Sequence, residues 1–204
     1  AGCNAGSNHK PDDICKMIQL KGVKLIVRKG IFSPDPKRTN STLMVLNNMP
    51  AIRGKSILDV GCGSGVIGIY CALNGAKSVI AVDVEEKAIK NTKENAMRNK
   101  VESIITAIKS DLFENVKGKF DYVFGNLPIV DAAWNLSTST VDLLKKFILG
   151  CKKYIKKGGT AYFTWNSEAD VVAIRNFLAT NNFSFEEVTE EKKTRIWYLF
   201  KVQF

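Results

Sequence analysis

The stretch "SILDVGCGSGVIGIY", residues 56–70, constrains the fold more than any other part of this chain. An apolar strand-like run meets Gly61, Gly63 and Gly65, and a second apolar run follows at once. Glycines at such spacing let the backbone turn sharply and approach a ligand closely. Strand-like and helix-like runs then alternate: "SVIAVDV", a helix over about 86–99, "SIITAIKSD" ending at Asp111, "FDYVFGN", a helix over 138–157, "GTAYFTWN", and a helix over 168–181. This rhythm predicts an α/β fold, doubly wound around a mostly parallel seven-stranded sheet. The last two runs, "FSFEEVTEE" and "TRIWYLFKVQF", are joined too tightly for a crossover helix, so they predict an antiparallel C-terminal hairpin.

The residues before the loop have another texture. Residues 14–32 read as a short two-stranded element, and "SPDP" at 33–36 as a turn or extended loop. Asn40 and Ser41 cap a helix running to about Asn48, ahead of Pro50. The expected organisation is a flexible tail over 1–13 and one domain over 14–204. That domain divides into a basic extension, 14–50, and a Rossmann-like core, 56–204.

Among 204 residues the net charge is +10, which points to an anionic partner, nucleic acid before an acidic membrane surface. Five cysteines without a CxxC and a single histidine, His9, do not make a zinc site of the usual kind. Scattered, odd-numbered thiols fit a reducing cytoplasm. The first residues lack the apolar core of a signal peptide. The most apolar window carries Asp59 and several glycines, so no membrane span is expected.

The glycines can be read in two registers. Residues 63–68 form a GxGxxG, the spacing associated with a pyrophosphate; Asp59 followed by Gly61, Gly63 and Gly65 suits a cofactor without one. Three acidic positions decide between them. A carboxylate at Asp59 repels a pyrophosphate and welcomes an ammonium group. Asp83, at the end of the second strand, can accept both hydroxyl protons of a ribose, and Asp111, at the end of the third, can accept from an adenine amine. An amino-acid head, a ribose and an adenine describe S-adenosylmethionine.

"ILDVGCGSG", "VIAVDVEEKAI", "NTKENAMRN" and "KSDLFENVKGKFDYVFGNLP", in this order, resemble a class I S-adenosylmethionine-dependent methyltransferase. The match covers roughly residues 22–165. With "GIFSPD" upstream, the chain is similar to the small-domain family, which includes ribosomal RNA guanine N2-methyltransferases and release-factor glutamine methyltransferases. The resemblance implies a cofactor site of Asp59, Gly61, Cys62, Gly63, Gly65, Asp83, Val84, Asp111, Leu112 and Asn126.

It also places the chemistry in "GNLPIV", residues 125–130, where the family has Asn/Asp-Pro-Pro-aromatic. Asn126 and Pro128 keep that outline and are the catalytic candidates. The Asn126 carboxamide oxygen and a backbone carbonyl would accept the two N–H protons of a planar amine, so catalysis rests on positioning. Leu127 stands for the first proline and Ile129 for the stacking aromatic, which puts the stacking partner in doubt; Trp134, Phe32 or Trp165 could supply it.

From Lys16 to Arg38 there are seven basic residues against one acid. Lys24, Arg28, Lys29, Lys37 and Arg38, with Phe32, Leu127 and Ile129, are the candidate substrate contacts, the cations gripping phosphates. On the helix over 140–157, Lys145, Lys146, Lys152, Lys153, Lys156 and Lys157 fall in one arc of about 140°. The expected activity is N-methylation of an exocyclic base amine of structured, ribosomal RNA. Two readings stay open beside it: a protein methyltransferase acting on glutamine or lysine of a translation protein, and a cofactor-binding module that has lost catalysis.

Overall fold

Lysines and apolar residues mix in the first run, which forms β1 (Ile14–Leu20) antiparallel to β2 (Val23–Arg28). Lys21 and Gly22, both at positive φ, make the two-residue turn between them, as a tight hairpin requires. The structure is a computed structural model describing residues 14–37, 39–130 and 138–204; the tail expected over 1–13 lies outside the described residues, as do Arg38 and Trp134. Helix α1 (Ser41–Asn47) follows. Asn40 stands at its N-cap position, but its side chain makes no capping bond. Its amide is bonded instead to Glu190 and Lys192, which overturns the capping role expected for it.

The remaining elements are β3 (Ser56–Val60), α2 (Val66–Leu73), β4 (Ser78–Asp83), α3 (Glu86–Arg98), β5 (Ile105–Lys109), β6 (Phe120–Gly125), α4 (Thr140–Tyr154), β7 (Ile155–Asn166), α5 (Val171–Thr180), β8 (Phe185–Lys192) and β9 (Arg195–Gln203). They build a seven-stranded sheet in the order β5-β4-β3-β6-β7-β9-β8. Pairing is parallel from β5 through β7, and β9 is antiparallel to both β7 and β8. Ile57, Leu58 and Val60 are all buried, as a strand covered on both faces must be. β8, at the edge, alternates instead and carries Glu186, Glu187, Glu190 and Glu191, charges that discourage edge-to-edge pairing. The centre is aromatic: Phe163 stacks on Phe200 at 4.9 Å, and Phe147 meets Phe163 edge-on.

Three boundaries differ from expectation. β5 ends at Lys109, so Asp111 lies two residues past the strand, at the start of a turn whose Glu114 amide donates to the Asp111 carbonyl. α4 ends at Tyr154, because β7 begins at the β-branched Ile155. Lys156 and Lys157 therefore leave the expected basic helix face; Lys156 pairs with Asp121 at 2.8 Å. On the helix itself, Lys152 sits 4.6 Å over the Phe183 ring, so part of that face is engaged in packing.

β3 lies between β4 and β6, and the chain winds outward from it in both directions. A crevice forms at such a switch point, outside the carboxyl ends of the strands. The glycine loop, Asp83 and Asn126 all stand at that edge, following or closing β3, β4 and β6.

Candidate functional site

The glycine loop is held from three directions. Below it, the amides of Gly61 and Cys62 donate to the Val82 carbonyl of β4. The Asp59 carboxylate, 1% exposed, accepts from the Gly68 amide at 2.9 Å and ties β3 to the first turn of α2. From α3, Thr92 Oγ1 donates to the Gly63 carbonyl, and Asn95 Nδ2 donates to the Ser64 carbonyl. Gly61, Gly63 and Gly65 all take positive φ. At Gly65 a Cβ would lie 2.8 Å from Thr92 Cγ2, so both the backbone angle and the close approach of α3 exclude a side chain.

The N-terminal hairpin reaches this loop through asparagines. Asn91, Asn95 and Asn99 fall four residues apart on one face of α3 and bond the backbone of β2 at Arg28, Ile26 and Lys24. The helix thereby satisfies backbone groups that β2 leaves open on its free side. The motif "NTKENAMRN" held this signal in its spacing; its partner could not be read from it.

Asp83 closes β4 half-buried. Its Oδ2 accepts from the Gly63 amide and its Oδ1 from the Glu85 amide. Burial raises its pKa, partly offset by the amide bonds from Glu85 and Gly63. Burial also pushes Asp59 up to about 7, against the Gly68 amide bond and with the nearby Asp83 charge adding to the rise. The open carboxylate expected at Asp59 is thus replaced by a buried anchor under the loop. Asp111 is exposed and Leu112 beside it takes φ 43. Cys62, 6% exposed, is held by burial well above the ordinary thiol range, which suits a packed loop residue.

The loop surface has room for a ligand. A Cβ at Gly63 would meet nothing within 4 Å, and Val84, beside Asp83, leaves 56% of its surface exposed. An open glycine backbone, an apolar shelf and a carboxylate with lone pairs to spare fit the adenosine part of S-adenosylmethionine. The N-terminus of α2 fits its carboxylate.

On the acceptor side, Asn126 is fixed between two hydroxyls. Its Oδ1 accepts from Thr164 Oγ1 at 2.8 Å, and its Nδ2 donates to Thr42 Oγ1 at 3.2 Å. Thr42 and Thr164 are buried and were not among the sequence candidates. The strand register was the one available signal, since Gly125 faces Phe163 and so brings Asn126 beside Thr164. Leu127 and Ile129 are 9% exposed and belong to the core. Leu127 Cδ2 packs where a Gly61 Cβ would stand, 2.9 Å from it. Neither side chain offers a face to a flat substrate, which corrects their place among the substrate contacts. Trp165, 1% exposed, cannot stack on one either, whereas Phe32 is 39% exposed.

The basic segment is also rearranged by its ion pairs. Arg28 makes a two-pronged bond to Glu94, at 3.0 and 2.7 Å, and Lys16 pairs with the buried Asp35. Arg28 is therefore an internal clamp between β2 and α3, and not a free phosphate contact. Lys24, Lys29 and Lys37 remain exposed. Among the described residues, no cluster of His, Cys, Asp and Glu could hold a metal ion, and no helix is long and apolar enough to cross a membrane.

A family model described as "Methyltransferase small domain" matches residues 22–200. A Methanocaldococcus jannaschii protein, provisionally named a protein N5-glutamine methyltransferase, is 33% identical over 163 residues, covering 74% of this chain and 80% of its own length. The ribosomal RNA small subunit methyltransferase C of Escherichia coli is 32% identical over 141 residues, 69% of this chain and 39% of its own. A ribosomal protein L11 methyltransferase of Halalkalibacterium halodurans is 29% identical over 137 residues, 67% of this chain and 40% of its own. The chain spans less than half the length of these last two relatives. Among solved structures, the ribosomal protein L11 methylase of Lactobacillus delbrueckii subsp. bulgaricus has a TM-score of 0.68 at 22% identity, covering 87% of this chain and 84% of that one. A tRNA methyltransferase of M. jannaschii has a TM-score of 0.70 at 22% identity, covering 98% of this chain and 58% of that one. These two likenesses show the shared Rossmann-like fold.

Proposed function

Because this chain belongs to the methyltransferase small domain family and is an S-adenosylmethionine-dependent methyltransferase, we propose that it methylates an exocyclic base amine of structured RNA, ribosomal RNA first. The observation that carries the N-methyl part is the Asn126 carboxamide, clamped by Thr42 and Thr164 at the sheet edge beside the glycine loop. The RNA part rests on the net charge of +10.

S-adenosylmethionine supplies an electrophilic methyl group on a sulfonium. Asp83 receives the ribose hydroxyls, and Val84 and Leu112 border the adenine with Asp111 at its amine edge. Asp59 acts from beneath, holding Gly68 so that the loop keeps its shape. Thr164 uses one lone pair of Asn126 Oδ1, and the second accepts an N–H of the acceptor amine. The Pro128 turn and its backbone carbonyls keep the amine in line. The acceptor nitrogen forms its bond to the methyl carbon as the carbon–sulfur pair returns to sulfur, and the displaced N–H proton leaves to water. Such catalysis draws on orientation and fixed dipoles rather than a strong base. A paired base would have to be flipped to reach Asn126. Residues 14–204 act as one catalytic domain in this reading, working in the cytoplasm where ribosomes are assembled.

A second reading follows from the M. jannaschii relative, most of whose length the chain covers. A glutamine carboxamide is also a planar, delocalised nitrogen, and Asn126 would hold it in the same way. Incubating the protein with tritiated S-adenosylmethionine and a cell extract separates the two. Label in RNA is the expected result; label confined to protein would overturn the RNA reading.

A further inference from the structure

A cavity of about 210 Å³ opens between the loop preceding α1 and the turn joining β8 to β9. Lys37, Asn40, Lys192, Lys193, Arg195 and Trp197 line it, and no carboxylate does. Arg195 is paired with Glu168 at 2.6 Å. The other cations are held by neutral oxygens. Lys192 Nζ donates to the Pro36 carbonyl and to Asn40 Oδ1, and Lys193 Nζ donates to the Lys37 carbonyl. Asp35, next but one to Lys37, is already bonded to Lys16, and Glu190 is bonded to the Asn40 amide. Two ammonium groups thus carry spare N–H donors into a recess with surplus positive charge.

The recess lies on the same edge as the methyl-transfer site. Trp197 pairs with Asn166, the last residue of β7, and Asn40 stands two residues before Thr42, which holds Asn126. We infer that this recess is a phosphate subsite, filled by a backbone phosphate of the RNA that presents its base to Asn126. The inference rests on the RNA reading above and adds residues from the C-terminal hairpin, remote in sequence from the basic N-terminal segment. Lysine ammonium groups bind phosphate as point charges, and each such contact releases counterions. Lys192 and Lys193 are also positioned by the chain itself, which lowers the cost of ordering them.

The test needs no methyl transfer. Binding of a fluorescein-labelled RNA hairpin is followed by anisotropy across a salt series for the full chain and for the Lys37→Glu/Lys193→Glu double variant. Loss of about tenfold or more in affinity is expected, with the log–log salt slope falling by about one to two for two lost phosphate contacts. Lys37→Arg/Lys193→Arg should restore both, and S-adenosylmethionine affinity should stay within about threefold, showing that the cofactor site is intact. Unchanged hairpin affinity and slope in the Glu double variant would overturn the inference. So would displacement of nothing by the hairpin where polyglutamate of equal charge binds the wild type and not the variant, since an acidic peptide would then own the recess. If RNA is labelled by tritium while the double variant binds normally, the subsite fails alone. If only protein is labelled, the function reading fails on its own evidence.

Discussion

The cofactor side and the acceptor side of the crevice are built in different ways. On the cofactor side the backbone makes the site. Three consecutive left-handed glycines, amides on Asp59 and Asp83, and a helix face reading the loop from above leave it one shape. On the acceptor side one side chain makes it. Asn126 is oriented by two hydroxyls from α1 and β7, and the side chains after it, Leu127 and Ile129, turn into the core. A backbone cradle serves one cofactor across many relatives, whereas a single oriented amide over a variable rim can serve different planar nitrogens. The relatives divide along that line, being named for RNA, for ribosomal protein L11 and for protein glutamine.

Substitutions on each side break the comparison if it is wrong. The largest effect is expected at Asp59. Its pKa, raised to about 7, makes the folded state hold a proton that the unfolded chain has released above about pH 4. That contribution is full below the unfolded value and is lost as pH rises through 7. Wild-type stability should fall over this window by something on the order of 4 kcal/mol. Asp59→Asn should remove most of that slope in denaturant titrations at several pH values, while a slope kept intact would remove Asp59 from the account. Next is Asn126→Ala, expected to slow turnover by about 100- to 1000-fold, the scale of losing one oriented polar group in a transition state. Calorimetry should find its cofactor affinity within about threefold of wild type.

Asp83→Ala tests the opposite side. Losing a charge-assisted partner of the ribose and of the Gly63 amide should weaken S-adenosylmethionine binding by about ten- to a hundredfold. Acceptor KM should be unmoved at saturating cofactor. The smallest effect is expected for Thr164→Val, which leaves Asn126 Oδ1 without its internal donor. Turnover should drop by about tenfold, again with cofactor affinity preserved; a shift in cofactor affinity instead would mean that the two sides are not separable.

The contrast also explains what was legible in the sequence. The strand–loop–helix around Gly61 to Gly65 is contiguous, so glycine spacing and the acids at successive strand ends expose it directly. The acceptor side depends on residues far apart along the chain: Thr42 is 84 residues from Asn126, and Thr164 is 38 residues from it. Arg28 looked like a free cation because Glu94, 66 residues away, meets it only in the fold. Asp59 sat correctly at the strand end, but its burial depends on how α2 packs back over β3, which spacing does not encode. Sheet order and the terminal hairpin were legible because alternation and connection length leave few topologies open.

The most direct test of the account is nucleoside mass spectrometry of ribosomal RNA from cells lacking this protein. It predicts one missing nucleoside methylated on an exocyclic amine, restored by the wild-type chain and not by Asn126→Ala. An unchanged set of modified nucleosides, with a methylated glutamine lost from a translation protein, would contradict it.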